Sequence, residues 1–184
     1  MDTPLRSASV RPSTDQVWQW LSVLTDPEIP VVTLKEMGIL RDVQVQDDHI
    51  AVTITPTYSG CPAISQIEDD VRTTLAQHGV NARVVTQLSP AWTTDWMSES
   101  GKEKLRQYGI APPRRLVQGK ADESVQGALS VVHFISRTPT ADVVPCPLCA
   151  SSHTVETSHF ASTACKALYK CLDCLEPFDY FKPY

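Results

Sequence analysis

Long hydrophobic runs are absent from this chain of 184 residues. No stretch reaches the roughly eighteen apolar residues that a transmembrane helix needs, and the polar start from Met1 to Thr14 lacks the apolar core of a secretory signal. We therefore expect a cytoplasmic protein without a membrane partner. In that reducing compartment, cysteines bind metal or carry out thiol chemistry more often than they form disulfides.

The sequence also lacks a surplus of positive charge. It carries 16 Lys and Arg residues against 21 Asp and Glu residues, which gives a formal net charge of −5. Non-specific binding to nucleic acid depends on Lys and Arg side chains that neutralise phosphates. We therefore expect no nucleic-acid partner.

Motifs for independent catalysis are missing as well. The chain has no Gly-rich phosphate loop, no defensible Ser/His/Asp arrangement and no Glu-x-x-His pair of the kind that a diiron helix bundle uses. These absences favour a protein that is not itself an enzyme. The sequence leaves open whether the chain forms a homo-oligomer.

The length and the 42% hydrophobic content allow one ordinary core and a small satellite domain. The expected fold class is α+β, with a small mixed β-sheet covered by helices and followed by a C-terminal zinc-ribbon-like β unit. The predicted segments are a disordered N-terminus, an α+β domain, a linker or docking segment and a four-cysteine domain, at residues 1–13, 14–111, 112–142 and 143–184.

Periodicity and turn signals place the elements of the α+β domain. Ser13 and Gln16 have the spacing of a capping box, and proline after Cys61 favours a helix start there. Alternating apolar residues predict strands, and prolines around Glu28 predict an extended, stiff loop. The predicted helices cover 14–25, 61–78 and 98–108, the predicted strands cover 39–45, 50–54 and 82–88, and the apolar stretch 129–135 is a candidate extra strand.

Two Cys-x-x-Cys pairs near the C-terminus carry the strongest chemical signal. Each pair directs two thiolates at one cation, and two pairs supply a closed tetrahedral shell of the kind that holds structural zinc. The ligands would be Cys146, Cys149, Cys171 and Cys174. An iron-sulfur cluster at the same four cysteines is the alternative. A unit of about 40 residues cannot close a sufficient core, so it should depend on its metal for folding.

Other residues of this region have open interpretations. Cys165 is a candidate additional or replacement ligand, or a redox partner, and the alternative is a small buried residue in a strand. His153 and His159 are weaker ligand candidates. Lys166 is expected on a solvated strand face. Glycine, which often eases the turn after such a cysteine pair, is replaced by alanine and leucine.

A second candidate site combines Cys61 with the acidic loop that contains Asp26 and Glu28. A cysteine at a helix cap faces unsatisfied backbone N–H groups that favour the thiolate. The carboxylates would complete a mixed metal shell. The alternative is a small residue at a helix cap beside ordinary turn contacts.

Three stretches, 26–31, 34–40 and 55–62, resemble the motifs of the iron-sulfur assembly domain family that includes SufT. The resemblance covers about residues 14–90. It implies an iron-sulfur assembly-like domain and a functional pocket in which Cys61 holds iron or a cluster fragment transiently. Carried over by position, the pocket comprises Asp26, Glu28, Thr55, Thr57 and Cys61.

Four further stretches, 92–97, 108–113, 162–171 and 176–182, resemble the PaaD family of accessory subunits of the phenylacetyl-CoA epoxidase system in aerobic phenylacetate degradation. This resemblance implies a non-catalytic protein that helps to mature or maintain diiron or iron-sulfur centres. Its partners would be the diiron oxygenase or the iron-sulfur reductase of that system. The alternative is an electron-transfer component with a redox-active iron-sulfur centre at the four C-terminal cysteines.

Overall fold

The computed structural model describes residues 11–114 and 143–184. The chain forms two compact units that divide between Lys104 and Leu105, with Tyr184 grouped with the first. Most of the predicted linker and the candidate strand 129–135 lie outside the described residues, as do residues 1–10 of the predicted disordered N-terminus. Arg11, the first described residue, forms an exposed ion pair in which its guanidinium lies 2.7 Å from the Asp47 carboxylate.

Three helices and seven strands are present in the described ranges. The helices are α1 (Thr14–Leu21), α2 (Ile64–Gln77) and α3 (Glu99–Gln107). The strands are β1 (Leu40–Val45), β2 (Ile50–Ile54), β3 (Ala82–Thr86), β4 (Ile110–Ala111), β5 (Thr154–Ser158), β6 (Lys166–Cys171) and β7 (Pro177–Phe181). No helix in these ranges has the length and apolar character needed to cross a bilayer.

The first unit contains a mixed sheet in the order β1-β2-β3. β1 and β2 form the predicted antiparallel hairpin, and β3 returns parallel to β2 after the crossover through α2. Helix α2 buries Ile67, Val71 and Leu75 on one stripe, while Val52 and Ile54 of β2 are fully buried. The predicted α+β fold class with a small mixed sheet is confirmed.

Helix α1 starts as predicted but ends four residues before the predicted end at Thr25. The Ser13 side chain accepts from Gln16 N, and the Gln16 side chain accepts from Ser13 N, which completes the capping box. Beyond Leu21 the chain turns back on itself: Leu34 N donates to Leu24 O at 2.9 Å, and Thr25 pairs with Thr33 in an isolated bridge. These tertiary contacts compete with continuation of the helix.

The helix predicted to open at Cys61 begins at Ile64, with Ala63 as its cap. Cys61 N donates to Tyr58 O, and Ile64 N donates to Cys61 O. Each of these hydrogen bonds joins residues three positions apart and so forms a tight turn before the helix. Cys61 therefore lies about one turn before the start of α2. The expected placement of its thiol at the helix cap is therefore wrong.

Glu36 joins two segments of the first unit. Its carboxylate accepts from Thr33 N at 3.0 Å, while Glu36 N donates to Thr33 Oγ1 at 3.1 Å, a reciprocal pair like a capping box. Lys104 Nζ of α3 lies 2.8 Å from the other carboxylate oxygen. Burial alone would raise the pKa of Glu36, but the hydrogen bonds from Lys104 and Thr33 outweigh it and lower the pKa below the ordinary value.

The second unit contains a sheet in the order β4-β7-β6-β5. Ile110 and Ala111 pair with β7 of this sheet, so they belong to the second unit although we expected them to close the first domain. A small apolar cluster that includes Phe178 and Tyr180 lies against two of the candidate ligands, Cys146 and Cys171. The zinc-ribbon-like β unit is thus present.

Lys166 differs from its expected solvated position. It is 5% exposed, and its ammonium lies 3.1 Å from the Asp179 carboxylate of the neighbouring strand. The aliphatic part of a lysine can pack within a sheet when a carboxylate neutralises its head. Strand alternation alone cannot reveal such a partner.

Candidate functional site

The four C-terminal cysteines converge on one point. Their sulfur atoms all lie within 4.8 Å of one another. The Cys146 and Cys174 sulfurs are 3.8 Å apart, and the Cys149 and Cys171 sulfurs are 3.6 Å apart. Cys146 and Cys171 are buried, whereas Cys149 is exposed, so the cluster lies at the surface of its unit with one side covered.

These distances fit a single tetrahedral ion. A regular tetrahedron with zinc-sulfur bonds of about 2.3 Å has sulfur-sulfur edges of about 3.8 Å. A cluster of several irons would place irons and sulfides between the thiolates and hold the thiolates farther apart. The donor set and these two spacings therefore fit one thiophilic cation, such as zinc.

The electrostatics of the cluster favour ionisation of one cysteine before the others. Backbone N–H groups of Cys174 and Asp173 point at the Cys171 sulfur and lower the pKa of that thiol to about 6. The N–H of Glu176 acts in the same direction on Cys174, but burial and the three neighbouring sulfurs outweigh it and raise the pKa of Cys174 to about 12. Full ionisation of such a group needs a cation, so metal binding must release protons.

Each cysteine pair is followed by a residue in the left-handed backbone conformation. Ala150 has φ +62° and Leu175 has φ +67°, at the positions where the sequence lacks the expected glycine. The turns nevertheless close: Ala150 N donates to Cys146 O at 2.9 Å, and Cys171 N donates to Glu176 O at 3.0 Å. The left-handed conformation is unfavourable for residues with a Cβ atom, so both turns are strained.

A hydrogen-bonded clasp links the two cysteine pairs, formed by Ser151, His153 and Asp173. The Ser151 hydroxyl donates to Asp173 Oδ2, and His153 Nδ1 lies 3.2 Å from Asp173 Oδ1. Leu172 N also donates to His153 O at 2.8 Å. His153, which we considered as a metal ligand, thus contacts a carboxylate, and the clasp holds the two turns in register around the ligand sulfurs.

Cys165 lies at the other end of β6 from Cys171. Five residue steps of extended strand separate Lys166 from Cys171, which corresponds to roughly 17 Å. The Cys165 side chain is 5% exposed, and its sulfur lies 3.0 Å from the Thr163 hydroxyl. His159, the other weak candidate, lies 3.1 Å from the Glu156 carboxylate. The structure therefore does not place either side chain with the four-sulfur group.

The acidic loop of the first unit is ordered by its own carboxylate. Asp26 is 8% exposed, and its Oδ1 atom accepts from Glu28 N at 2.8 Å and from Ile29 N at 2.9 Å. Asp26 N also donates to Val32 O at 3.0 Å. One oxygen of Asp26 is thus occupied in holding the turn. Glu28 is partly exposed beside it.

Two of the five residues of the predicted pocket line a common cavity in the structure. Thr55 and Thr57 line a pocket of about 360 Å³ together with residues 88, 91, 92 and 184, but Asp26, Glu28 and Cys61 do not line it. Among the described residues, the only group of three or more His, Cys, Asp or Glu side chains close enough to hold a metal is the four-cysteine group. Cys61 is partly exposed in its turn.

Sequence reasoning did not find two features of these sites. The clasp depends on Ser151 and Asp173, which are ordinary turn residues until the two cysteine pairs meet. The far wall of the pocket depends on Trp92 and Tyr184, which are 92 positions apart in sequence. Trp92 is 3% exposed, and its indole N–H donates to Met37 O at 2.9 Å, so packing and one hydrogen bond together fix this ring.

Comparisons with known families agree with the division of the chain into two units. Residues 14–86 match the model of the family described as iron-sulfur cluster assembly protein, and residues 133–182 match the PaaD zinc beta ribbon domain. The chain is thus a two-domain protein that joins an iron-sulfur assembly-type domain to a zinc-ribbon-type domain.

Full-length similarity then identifies the family. The chain is 44% identical over 172 residues to an Escherichia coli K12 protein that is named as a subunit of 1,2-phenylacetyl-CoA epoxidase, and the match covers 93% of each chain. The chain belongs to this PaaD family. Its first part is also 35% identical over 86 residues to the iron-sulfur protein maturation auxiliary factor SufT of Staphylococcus aureus, covering 45% of this chain and 97% of SufT.

A solved structure resembles the first part too. It is a domain of unknown function, DUF59, from Bacillus anthracis, with 29% identity and a TM-score of 0.47, covering 50% of this chain and 90% of that one.

Proposed function

We propose that the chain is a non-catalytic accessory protein of the phenylacetyl-CoA epoxidase system, which helps to mature or maintain the iron centres of the diiron oxygenase or the iron-sulfur reductase. The observation that carries the proposal is the similarity to the Escherichia coli epoxidase protein over 93% of the chain. Names of relatives of the first domain, which refer to iron-sulfur protein maturation, support the iron-related role.

Zinc is the proposed occupant of the four-cysteine site, where it would hold the second unit together. The sulfur-sulfur distances of 3.6 and 3.8 Å support one ion rather than a cluster. Zinc has no redox chemistry, so this assignment separates the accessory role from electron transfer. When bound, zinc would neutralise the four thiolates and fix the two turns, while Ser151 and Asp173 orient the turns from outside.

Metal analysis of the anaerobically purified full chain tests this assignment. Zinc near one equivalent per chain, with no acid-labile sulfide and no visible absorption, is the expected result. Iron with sulfide, and charge-transfer absorption in the visible range, would instead support the electron-transfer alternative.

Cys61 is the proposed contact for iron as cargo rather than as a resident cofactor. Its thiol is partly exposed, and in the described part of the chain it belongs to no group of three potential ligands. A site that supplies an incomplete shell suits transfer, because a client can provide the remaining ligands. The ordered Asp26 turn and the neighbouring threonines would shape the surroundings of this contact.

A strain in which epoxidase activity depends on this chain tests the role of Cys61. Cys61→Ala should leave the fold and the metal content of the second unit unchanged but abolish support of epoxidase activity, and it should lower the iron content of the purified client. Ser65→Ala, an exposed change four residues further along, is the matched control. Full activity with Cys61→Ala would remove this thiol from the mechanism.

A further inference from the structure

The pocket beside the threonine segment has the features of a site for an organic ligand. One wall is the run from Thr55 to Ser59, and the other is formed by Leu88, Ala91, Trp92 and Tyr184. The second wall lies outside both segments that match known families, 14–86 and 133–182. The pocket therefore combines residues of the matched assembly-type segment with residues outside either matched segment.

Two hydroxyl groups in the pocket have no partner in the described part of the protein. Thr55 is 1% exposed and Thr57 is 7% exposed. The backbone N–H of Thr55 donates to Ile39 O, but neither side-chain hydroxyl makes a hydrogen bond with a described residue. Both residues follow the end of β2 and line the same pocket. Among the described residues, the buried side-chain N or O atom without a partner is His49 Nε2, so both threonine hydroxyls still reach the open space of the pocket. A ligand in that space could take the hydrogen bonds that water otherwise makes with them.

The opposite wall is aromatic and fixed in place. The indole N–H of Trp92 donates to Met37 O at 2.9 Å, and the Trp92 ring meets the Tyr184 ring edge-on with 6.3 Å between centroids. Thr94 N donates to Tyr184 O at 3.2 Å. Aromatic walls in this arrangement favour another aromatic ring through offset or edge contacts.

Charge excludes one class of ligand. No Asp, Glu, Lys, Arg or His side chain among the described residues lines the pocket. An anionic group that entered it would lose water without gaining an opposite charge. The volume of about 360 Å³ is at the lower end for ligand sites, and a cavity of about 150 Å³ is already enough for benzene.

We propose that this pocket binds a small uncharged aromatic compound that carries a hydrogen-bonding group, with the ring between the aromatic wall and the polar group on the hydroxyls of Thr55 and Thr57. Each hydroxyl can donate and accept, so a group such as an amide can satisfy both. Neither Cys61 nor the four-cysteine site takes part in this binding, so the titration below does not depend on the proposed iron-related role.

Titration of the full chain with phenylacetamide, followed by the shifts of methyl NMR signals, tests the proposal. Saturable shifts at Thr55, Thr57 and Leu88 are expected, with a dissociation constant of about 1 mM or lower. Phenylacetate has the same ring with a charge, and acetamide has the amide without the ring. Both should bind at least about tenfold more weakly, because each lacks one of the two required features.

Isosteric variants separate binding from folding. Thr55→Val and Thr57→Val should each weaken phenylacetamide binding about tenfold, the effect of one lost hydrogen bond. Both ligand-free variants should be as stable as the parent or more stable, because an unpartnered hydroxyl is removed. Thr53→Val, two positions before Thr55 in β2 and outside the pocket, is the matched control and should bind normally.

Any one of the following binding results would overturn the proposal. The first is a lack of saturable shifts when the phenylacetamide concentration reaches about tenfold the expected dissociation constant. The second is equal binding by the valine variants and the parent, and the third is a set of shifts that map to residues away from the pocket. Loss of stability in Thr55→Val would also contradict it, because it would show that the hydroxyl has a structural partner.

Discussion

The substitution Gly38→Ala offers a sharp test of the first unit. Gly38 has φ +69°, and a Cβ atom built on it would lie 2.6 Å from the carbonyl oxygen of Trp96 and 2.7 Å from Trp96 Cβ. Real Cβ atoms essentially never approach other atoms so closely. Two of the three nearest atoms are backbone atoms, which cannot rotate away as the end of a flexible side chain can. The alanine must therefore move the segment around Gly38 relative to the segment around Trp96.

Two terms give the expected loss of stability. The left-handed conformation costs an alanine about 1–2 kcal/mol, and a forced backbone shift in a packed region costs about 1–3 kcal/mol. Together they predict a loss of about 2–5 kcal/mol, which is a large part of the 5–15 kcal/mol that typically stabilises a domain. Alanine also restricts the unfolded chain, which returns about 0.4–1 kcal/mol.

Gly79→Ala is the matched control for this substitution. Gly79 has φ +75°, but nothing lies within 4 Å of a Cβ atom built there. Both variants share the cost of the left-handed conformation and the gain from a restricted unfolded chain. The difference between their losses of unfolding free energy, about 1–3 kcal/mol, therefore isolates the contact with Trp96. All four tryptophans, Trp18, Trp20, Trp92 and Trp96, lie in the first unit. Tryptophan fluorescence during urea unfolding therefore reports on that unit, and equal losses in the two variants would refute the reasoning.

Three further predictions concern the ligand cluster, an ion pair and a strained turn. Cys171→Ser should release the metal and make residues 143–184 sensitive to protease, because structural zinc contributes about 10–16 kcal/mol to small domains; unchanged protease resistance would contradict it. Glu36→Gln should cost the first unit about 1–3 kcal/mol at neutral pH. The lowered pKa of Glu36 means that its contribution is complete above the ordinary value of 4.5 and is lost as the pH falls through the folded value, so the difference in urea midpoint between parent and variant should shrink in acid. Leu175→Gly should stabilise the second unit by up to about 1 kcal/mol, because glycine removes the strain of the left-handed conformation. A higher chelator concentration should then be needed to unfold the unit. Leu172→Gly, in the same turn without positive φ, should give no such gain.

Local signals in the sequence predicted where elements begin better than where they end. The capping box at Ser13 fixed the start of α1, because both of its hydrogen bonds lie within four residues. The end of α1 depends on Leu34 and Thr33 pairing with residues just after the helix, and no local pattern contains that information. The late start of α2 has a local cause instead, because Cys61 N donates to Tyr58 O in a turn that precedes the helix.

Spacing predicted the four-cysteine group because its geometry is nearly local. Each Cys-x-x-Cys pair closes within its own turn, so only one long-range contact, between the two turns, remained to be assumed. The pocket is the opposite case: Thr55, Trp92 and Tyr184 meet only after the chain has folded, and none of them carries a distinctive signal alone. The acidic loop lies between these cases, because the Asp26 turn is local while its relation to Cys61 is not.

The strained turns at Ala150 and Leu175 connect the missing glycines to metal dependence. Each left-handed residue costs about 1–2 kcal/mol, and the apolar cluster beside the ligands is small, with Phe178 and Tyr180 as its largest buried members. A metal contribution of about 10 kcal/mol or more exceeds that cost severalfold. Without the metal, the strain in the two turns would act against the folded state with no ligand bonds to offset it. The second unit should therefore fold in step with metal binding, whereas the core of the first unit, built around Leu21, Ile54 and Leu75, needs no ion to close.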